Sequence, residues 1–451
     1  MFKVDELLKA TGGRLACGGS GCRVRGVSID SRTIKRGDAY IAIKGNSHDG
    51  HRFIPEALRK GASCIIYSSR FKAPLQPKAA FIKVRDTTAA LGDIAAFWRA
   101  RFDIPVVVVT GSNGKTTTKD MIAHILSRKF KVLKNEGTKN NHIGLPMTLL
   151  KLDGSHDFAV LEAGTSHPGE IPYLARIASA NIGVITNIGP SHLEHFGALN
   201  SVRKEKVSLL KYLCGPRIAV LNSDCRFLSG ELKKNKKAAF GFGVNNKCDF
   251  MASSLKRAGR GMEFKVNSKI KFTLPVLGYY NIYNALAAVA VARICGMEYR
   301  DIASGLRRFV TPPGRLNVTK VNKITFIDDT YNANPLSLSQ ALKALDGLKV
   351  KGRKIFIMGD MLELGAKGKH FHLEAGRKAM DACDIFLAAG RLAKLAGQSA
   401  LACDRKDKLV FICGSALEAR NILFKQISPK PEDVVLVKGS RGMKMEQVFK
   451  T

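Results

Sequence analysis

The chain has 451 residues, which at roughly 150 residues per domain suggests about three domains and excludes a small binding module. Apolar residues make up 45% of the chain and charged residues 24%, the balance of a folded globular protein rather than a disordered or fibrous one. The net charge of +36 comes from 73 Lys and Arg against 37 Asp and Glu, dispersed in short groups that favour polyanions without specifying a partner.

The amino terminus predicts neither a leader peptide nor a membrane anchor. Asp5 and Glu6 interrupt its apolar residues, and no cleavage site with small residues follows. The longest apolar runs, residues 104–110 and 285–292, are far shorter than the eighteen or so residues of a membrane span. Ten cysteines stand apart without a C-x-x-C pair, as is typical of reduced thiols. We therefore expect a cytoplasmic protein that does not insert into membranes.

Residues 1–85 form a first block in which turn-forming sequence dominates, as in SIDSRTIKRGDAYIAIKGNSHDGH. A single amphipathic helix is predicted in this block, over residues 54–60. We expect a small mixed α/β domain here.

After residue 101, β-branched runs alternate with amphipathic stretches, the pattern of strands and crossover helices in a parallel sheet. Pro-Pro-Gly at residues 312–314 interrupts the series, and a second one follows. The alternation predicts an α/β protein of three domains, at residues 1–85, 86–313 and 314–451, with a parallel sheet in the central domain and a Rossmann-like last domain. The predicted strands are residues 104–110, 158–162, 182–187 and 218–222 in the first series, and 324–328, 354–358, 384–388, 409–413 and 434–437 in the second.

The strongest local signal is IPVVVVTGSNGKTTTKDMIAHIL, an apolar strand, a Gly-rich loop and a helix. Such loops turn backbone N–H groups and a helix N-terminus towards phosphate oxygens, so the central domain is predicted to be a P-loop ATPase domain. Two residues separate the loop glycines, whereas the usual pattern has four. Lys115 is expected on the terminal phosphates and the Thr116 hydroxyl on Mg²⁺. The predicted nucleotide-binding residues of the loop are Gly111, Ser112, Asn113, Gly114, Lys115, Thr116 and Thr117.

Two further side chains follow the ends of neighbouring predicted strands. Parallel sheets bind ligands at the carboxyl ends of their strands, so Glu162 and His192 should share one rim with Lys115. A carboxylate there suits Mg²⁺, and an imidazole suits a second metal or a transferring group. The alternatives are a helix-capping charge for Glu162 and a turn histidine for His192. His195 could join His192 on zinc, but no third ligand follows, and we interpret it as structural.

Taken together, the motifs resemble the Mur ligases, the ATP-dependent amide-forming enzymes of bacterial peptidoglycan synthesis. The resemblance spans the whole chain and rests on TGSNGKTTT, LEAGTSHPGEI, TNIGPSHLEHFG, YNIYNALAA and DDTYNANP. SRTIKRGDAYIAIKG and DGHRFIPEALRKGA resemble the uridine-nucleotide-binding first domain of the two members that act late on the peptide stem. GDMLELG, with YNANP, resembles the member that acts last.

The resemblance implies an ATP-dependent ligase that joins D-alanyl-D-alanine to UDP-N-acetylmuramoyl-tripeptide through an acyl phosphate. The alternatives are the member that adds the third stem residue, whose D-N-P-R signature is absent, and the folylpolyglutamate synthetases, which lack such a first domain. A basic P-loop protein acting on nucleic acid is favoured by charge alone. We expect no specific nucleic-acid partner and a monomer.

The resemblance also implies a metal site with two Mg²⁺ ions. Thr116 and Glu162 would hold one ion between the β- and γ-phosphates, and His192 would help to hold the second. Lys206, fourteen residues after His192, best fits the family lysine that reacts with CO₂ to give a metal-ligating carbamate. The family usually has Glu two residues later, where Ser208 stands here.

Further residues are carried over from the family's nucleotide site. Asn281 resembles the asparagine on the adenine side, Arg315 a phosphate-contacting arginine, and Asp329 the residue that closes on the nucleotide from the third domain. Their alternatives are a helix cap, a surface charge and a turn residue. Closure of the third domain on the second would bring all three together.

Substrate contacts are expected at two places. The candidates for the nucleotide-sugar in the first domain are Ser31, Arg32, Asp49, Gly50 and His51. Asn140 and Asn141, in GTKNNHIGLP, lie where the family has a substrate-side pair of asparagines.

Overall fold

The structure is a computed structural model that describes residues 1–45, 48–68, 71, 79–259, 261–403, 405 and 407–450. Its strands form a two-stranded, a five-stranded, a nine-stranded and a six-stranded sheet, the last three following one another along the chain.

The first part of the chain builds the five-stranded sheet, in the order β2-β7-β6-β5-β4. Strands β4 to β7 are parallel and β2 is antiparallel to β7, whereas β1 pairs with β3 in the separate two-stranded sheet. The elements are β1 (Phe2–Lys3), α1 (Val4–Thr11), β2 (Arg14–Cys17), β3 (Arg23–Val24), β4 (Val27–Ser28), β5 (Ala39–Ile41), α2 (Ile54–Arg59), β6 (Cys64–Ser68), β7 (Ala80–Val84) and α3 (Thr87–Arg99).

The prediction of a single helix in the first 85 residues is wrong, because α1 precedes α2. The Glu6 carboxylate accepts a hydrogen bond from the Lys3 backbone N–H at 2.8 Å, which satisfies a free donor at the start of α1. Gly12 ends the helix with φ of 59°, a left-handed conformation that glycine adopts without strain. The sequence contains both end signals of α1, Glu6 at its start and Gly12 at its end.

The central part builds the nine-stranded sheet, in the order β16-β15-β14-β13-β12-β11-β8-β10-β9. Strands β8 to β14 are parallel, and β15 and β16 extend the sheet in antiparallel fashion. The elements are β8 (Val106–Thr110), α4 (Lys115–Leu126), β9 (Val132–Lys134), α5 (Gly144–Leu149), β10 (Phe158–Glu162), α6 (Glu170–Ala178), β11 (Ile182–Ile185), α7 (Leu193–Phe196), α8 (Leu199–Val207), β12 (Ile218–Asn222), α9 (Ser229–Lys234), β13 (Ala239–Gly243), β14 (Phe250–Ala258), β15 (Gly261–Val266), β16 (Ile270–Leu274), α10 (Tyr280–Ile294) and α11 (Tyr299–Arg307).

Strand β8 shows why this sheet is covered on both faces. Its four valines are buried, and they alternate between two cores: Val106 and Val108 pack in one, Val107 and Val109 in the other. A continuous apolar run of this kind is typical of a central parallel strand. Because β8 lies between β10 and β11, the loops that follow all three strands leave the sheet at the same edge.

The last part builds the six-stranded sheet, in the order β17-β18-β22-β19-β20-β21, parallel except for β17. The elements are β17 (Asn317–Val321), β18 (Ile324–Asp329), α12 (Pro335–Asp346), β19 (Lys354–Gly359), α13 (Gly368–Ala382), β20 (Ile385–Ala389), α14 (Ala393–Leu401), β21 (Leu409–Cys413), α15 (Ala416–Asn421) and β22 (Val434–Lys438). Short 3₁₀ turns lie at Gly50–Phe53, Ser208–Tyr212, Gly365–Lys367, Arg441–Met443 and Met445–Val448, and a π-helical turn at Ile422–Ile427.

The mixed α/β architecture is thus confirmed, and the predicted strands at residues 158–162, 218–222 and 409–413 are confirmed in full. The other predicted strands match to within two residues at each end. The domain boundaries near residues 85 and 313 stay a prediction. Within the described residues, no helix combines the length and apolarity needed to cross a membrane.

Candidate active site

The Gly-rich loop joins β8 to α4 and fits its surroundings only with glycine at two positions. Gly111 and Gly114 have φ of 149° and 81°, in the left-handed half of φ space. A Cβ atom on Gly111 would collide with the Thr186 hydroxyl, and one on Gly114 with the Asn284 side-chain oxygen. The loop is therefore pressed against β11 and α10, with α4 beginning directly behind it.

Lys115 is the first residue of α4. Its Nζ donates a hydrogen bond to the Gly111 carbonyl at 2.9 Å, so the amine folds back over the loop. Burial lowers the pKa of this amine, although the Glu162 carboxylate opposes the effect. The lysine thus lies over the loop that is expected to cradle phosphates.

Glu162 is the last residue of β10 and is only 1% exposed. One carboxylate oxygen accepts a hydrogen bond from the Thr116 hydroxyl and the other from the Asn140 Nδ2, each at 2.6 Å. Arg315 Nη2, which follows the Pro-Pro-Gly segment, donates to the same Thr116 hydroxyl at 2.8 Å. The structure therefore brings these four predicted residues into one hydrogen-bonded group.

His192 lies in the turn after β11, with φ of 52°. Its Nδ1 is 2.5 Å from a carboxylate oxygen of Glu363, a residue between β19 and α13. This hydrogen bond is the main cause that lowers the pKa of Glu363 below its usual value. The rings of His195 and His167 lie 4.1 Å apart between centroids and are tilted by 36°, and the structural role of His195 stays a prediction.

Asp329 ends β18 and is 6% exposed. Lys438 Nζ lies 2.6 Å from its carboxylate and also donates to the Asn332 carbonyl at 2.9 Å. Burial raises the pKa of Asp329, against the opposing charge of Lys438. Asn334, just before α12, and Asn113, in the Gly-rich loop, form two amide hydrogen bonds with each other, of 2.7 and 3.2 Å. These bonds connect the central and the last parts of the chain.

These groups line one cleft, with an empty volume of about 1250 Å³, between the central and the last sheet. The predicted residues that line it are Ser112, Asn113, Gly114, Lys115, Thr116, Thr117, Asn140, Glu162, His192, Arg315 and Asp329. Sequence reasoning missed other lining residues, among them Tyr280, Tyr331, Asn334, Gln340, Glu363 and Lys438. Among the described residues, no three His, Cys, Asp or Glu side chains are grouped as a ready-made metal cage.

Family models match most of the chain. Residues 23–99 match the model "Mur ligase family, catalytic domain", residues 109–292 the "Mur ligase middle domain", and residues 314–441 the "Mur ligase, glutamate ligase domain". The UDP-N-acetylmuramoyl-tripeptide–D-alanyl-D-alanine ligase of Bacillus subtilis is 33% identical over 95% of this chain and 93% of its own. The chain belongs to the Mur ligase family.

Two solved Mur ligase structures extend the match to the fold. MurF from Acinetobacter baumannii superimposes with a TM-score of 0.90 at 31% identity, over 99% of this chain and 97% of that one. MurF from Thermotoga maritima, solved in complex with ADP, gives 0.82 at 29% identity, over 94% of this chain and 96% of that one. The similarity thus includes the parts of the chain that form the five-, nine- and six-stranded sheets.

A second cleft, of about 840 Å³, adjoins the first at Asn113 and Gly114. Its lining includes Asp224, Tyr283 and Asn284, none of which the sequence analysis singled out. Tyr283 donates a hydrogen bond to the Asp224 carboxylate at 2.9 Å, and backbone N–H groups hold the pKa of that carboxyl low against its burial. The YNIYNALAA motif contained the signal, since Asn284 belongs to it.

Two of the predicted asparagines, Asn281 and Asn141, are not among the residues that line either cleft. Asn281 Nδ2 donates to the Leu277 carbonyl at 2.6 Å, and its side-chain oxygen accepts from Asn284 at 2.8 Å. Asn141 accepts hydrogen bonds from the backbone N–H groups of Ile143 and Gly144 at the start of α5. Both side chains therefore act locally, Asn281 by holding Asn284.

Lys206 is 1% exposed, near the end of α8. Burial, reinforced by the charge of Lys115, holds the pKa of its amine well below the usual value. The neighbouring Glu205 fixes α8, because its carboxylate accepts hydrogen bonds from the N–H groups of Gly169 and Ile171 at 2.9 and 2.7 Å. Lys206 is thus a buried lysine on which the charges of Lys115 and Glu162 act, although it is not among the residues that line either cleft.

The predicted substrate residues of the first domain line neither cleft, and their polar groups bond to other residues of that domain. Ser31 donates to the Glu56 carboxylate at 2.7 Å, and Arg32 pairs with Asp30. A second group centres on His51, which bonds to Asp49 at 2.7 Å and accepts from the Ser68 N–H at 3.0 Å. The Gly50 carbonyl accepts from the Tyr40 hydroxyl at 2.9 Å.

Proposed function

We propose that this Mur ligase joins D-alanyl-D-alanine to UDP-N-acetylmuramoyl-tripeptide and converts ATP to ADP and phosphate. The observation that carries the proposal is the cleft in which the Gly-rich loop, the buried Glu162 and the third-domain residues Arg315 and Asp329 meet. The relatives that match nearly the full chain carry the name of this reaction, and one neighbouring structure holds ADP. The absence of D-N-P-R from the sequence argues against the member that adds the third stem residue.

The reaction needs an activated carboxylate, because a free carboxylate does not acylate an amine at neutral pH. An oxygen of the tripeptide carboxylate attacks the γ-phosphorus of ATP, and ADP leaves. The amine of D-alanyl-D-alanine then attacks the acyl carbon, loses a proton and displaces phosphate. The cations Lys115 and Arg315 stabilise the charge that develops during phosphoryl transfer.

The residues at the rim fit Mg²⁺, which takes oxygen ligands and few protein groups beside phosphates and water. Glu162 supplies a buried carboxylate and Thr116 a hydroxyl hydrogen-bonded to it, so these two would hold one ion. His192, in the turn after β11 at the same edge of the sheet, would help to hold a second ion. When bound, Mg²⁺ neutralises the charge of the β- and γ-phosphates.

The nucleotide base fits the second cleft, which begins at Gly114 where the phosphate loop ends. Asn284 offers an amide and Asp224 a carboxylate to the polar edge of a base. Asn281 contributes indirectly, since its side-chain oxygen fixes the Asn284 amide. We therefore propose that Asn284, rather than Asn281, lies on the adenine side.

Lys206 is proposed to carry the carbamate. An ordinary lysine amine, with a pKa of about 10.4, is almost fully protonated at pH 7 and cannot attack CO₂. Burial and Lys115 lower the pKa of Lys206, which favours the neutral amine. Its nitrogen attacks CO₂ and loses a proton, which turns a repelled cation into an anionic oxygen donor for the second metal ion.

The uridine nucleotide of the substrate is proposed to bind the first domain at Ser31, Arg32 and the segment from Asp49 to His51. These groups lie outside the clefts, as they should if they hold the far end of a long substrate whose carboxylate reaches Glu162 and Asn140. The high positive charge of the chain favours approach of this polyanion.

Steady-state release of ADP tests the proposal. Protein, ATP and Mg²⁺ should release ADP only when UDP-N-acetylmuramoyl-tripeptide and D-alanyl-D-alanine are both present, and the Lys115→Ala variant should release almost none. ADP release that needs only one of these two substrates would overturn the proposal. ADP release with UDP-N-acetylmuramoyl-dipeptide and a free amino acid in their place would also overturn it. Binding of DNA that survives high salt would support the nucleic-acid alternative instead, because nonspecific binding weakens steeply with salt.

A further inference from the structure

The contact between His192 and Glu363 joins two parts of the molecule that are far apart in sequence. His192 follows β11 of the central sheet, and Glu363 follows β19 of the last sheet. The His192 Nδ1 and the Glu363 carboxylate oxygen are 2.5 Å apart, and the His192 side chain is 19% exposed. Both residues line the first cleft.

The chemistry of this contact selects one form of the imidazole. An ionised carboxylate only accepts hydrogen bonds, so the Nδ1 atom of His192 must carry the proton. In the neutral ring the Nε2 atom is then left with its lone pair. Carboxylates that bond in this way fix the ring orientation of a ligating histidine and raise its basicity.

The backbone holds the two side chains in this arrangement. His192 and Glu363 have φ of 52° and 62°, a left-handed conformation that is uncommon without glycine and that clusters at functional sites. The Glu363 carbonyl accepts a hydrogen bond from the Glu194 N–H at 3.2 Å. Gly365 packs so closely that a Cβ atom there would lie 3.2 Å from the Glu194 Cα. The backbone around His192 and the backbone around Glu363 are therefore in direct contact.

We propose that Glu363 is a positioning residue, supplied by the third domain, which fixes the orientation and the Nδ1–H tautomer of His192. His192 is then prepared for its role only while the third domain lies against the central one. The inference rests on the proposed function for the role of His192, but the tautomer itself can be measured without any substrate.

Nitrogen NMR of protein labelled with ¹⁵N-histidine tests the tautomer directly. The His192 signals are assigned by their loss in the His192→Gln variant, and protonated and unprotonated ring nitrogens are distinguished by their shifts. At a pH high enough for the ring to be neutral, we expect a protonated Nδ1 and an unprotonated Nε2 in the unmodified protein. The reverse pattern, or an equal mixture, would overturn the inference even if the ligase assay succeeds.

Three variants connect the tautomer to catalysis. Glu363→Ala should lose the tautomer preference and lower kcat about 10- to 100-fold with little change in KM for ATP. Glu363→Gln keeps an acceptor oxygen and should retain the Nδ1–H form and most of kcat. Glu194→Ala removes the same charge from an exposed side chain beside the contact and should match the unmodified protein.

Two outcomes would contradict the positioning role. Glu363→Ala could keep the Nδ1–H tautomer, or it could keep full kcat. If Glu363→Ala lacks the unmodified protein's unfolding transition, the Glu363→Gln variant decides, since loss of the Nδ1–H form despite a retained acceptor would equally refute the inference.

Discussion

The phosphate-loop rim and the first-domain loops were both expected to bind substrate, yet the structure builds them differently. At the rim, side chains from distant positions converge: Thr116, Asn140 and Arg315 all join the hydrogen-bonded group around Glu162. In the first domain, Arg32 bonds to Asp30, and Ser31 bonds to Glu56. The rim therefore joins side chains from the central and the last parts of the chain, whereas the contacts of the first-domain loops stay within that domain.

The two regions acquire their binding groups in different ways. Convergence at the rim follows from sheet topology, since strand ends at one edge must meet. Groups at the rim should therefore affect turnover strongly, whereas first-domain groups should affect only the affinity for the nucleotide-sugar. Substitutions in the two regions test whether their effects differ in this way.

The largest expected effect is at Lys206. Lys206→Ala should lower kcat about 100- to 1000-fold, in the range found for loss of a group that stabilises transition-state charge. Formate or acetate should restore part of the activity by replacing the carbamate oxygen. Lys204→Ala, an exposed neighbour on the same helix, serves as the control and should change little. Full activity in Lys206→Ala would remove the carbamate from the mechanism.

The second effect concerns stability at the rim. Lys438→Met leaves the buried Asp329 without its partner and should lower the free energy of unfolding by about 3–5 kcal/mol. Burial already raises the pKa of Asp329, and loss of the cation raises it further. Since the folded variant then favours the protonated carboxyl, the loss should shrink as pH falls below the raised pKa, and it should level off at its full size above that pKa.

Thermal unfolding followed between pH 5 and pH 8 measures this dependence. Lys450→Met, which removes a more exposed lysine 4.0 Å from Asp328, is the matched control and should cost little at any pH. A Lys438→Met protein as stable as the unmodified one would show that the third-domain side of the rim is not preorganised.

Several features of the rim were predictable from the sequence. Gly111, Lys115, Glu162 and His192 follow strands recognisable by their apolar runs, and parallel topology places those strand ends together. Glu363 was not predictable as a partner of His192, because 171 residues separate the two. Asn113 and Asn334 are likewise joined only by the packing of two domains.

The other differences between the prediction and the structure have local causes. Asn281 and Asn284 lie one helical turn apart in α10, and only packing decides which amide reaches the cleft. The antiparallel strands β15 and β16 carry Lys265 and Lys271 on their open face and lack the apolar runs by which the central strands were recognised. Helix α1 was missed although its end signals, Glu6 and Gly12, are plain in the sequence.

A smaller effect is expected at the loop itself. Gly114→Ala forces a side chain into a left-handed conformation and against Asn284, a strain of about 1–3 kcal/mol. KM for ATP should rise about tenfold or more, because both clefts meet there. Gly154→Ala, in an exposed turn with open space around it, is the control. An unchanged KM for ATP would separate Gly114 from nucleotide binding.

The smallest effect is expected in the first domain. Arg32→Ala removes an exposed side chain whose pair with Asp30 contributes little to stability. KM for UDP-N-acetylmuramoyl-tripeptide should rise severalfold, while kcat and KM for ATP remain unchanged. Arg23→Ala, which removes another exposed arginine of the same domain, provides the comparison. A large fall in kcat for Arg32→Ala would erase the contrast between the two regions.

The central claim is that the tripeptide carboxylate is activated by phosphoryl transfer in the first cleft. Tripeptide substrate labelled with ¹⁸O in the carboxylate of its third residue tests this directly, by mass analysis of the phosphate released. If the carboxylate attacks the γ-phosphorus, one ¹⁸O atom should appear in phosphate for each amide bond formed. Unlabelled phosphate accompanying the formation of peptide product would contradict the mechanism.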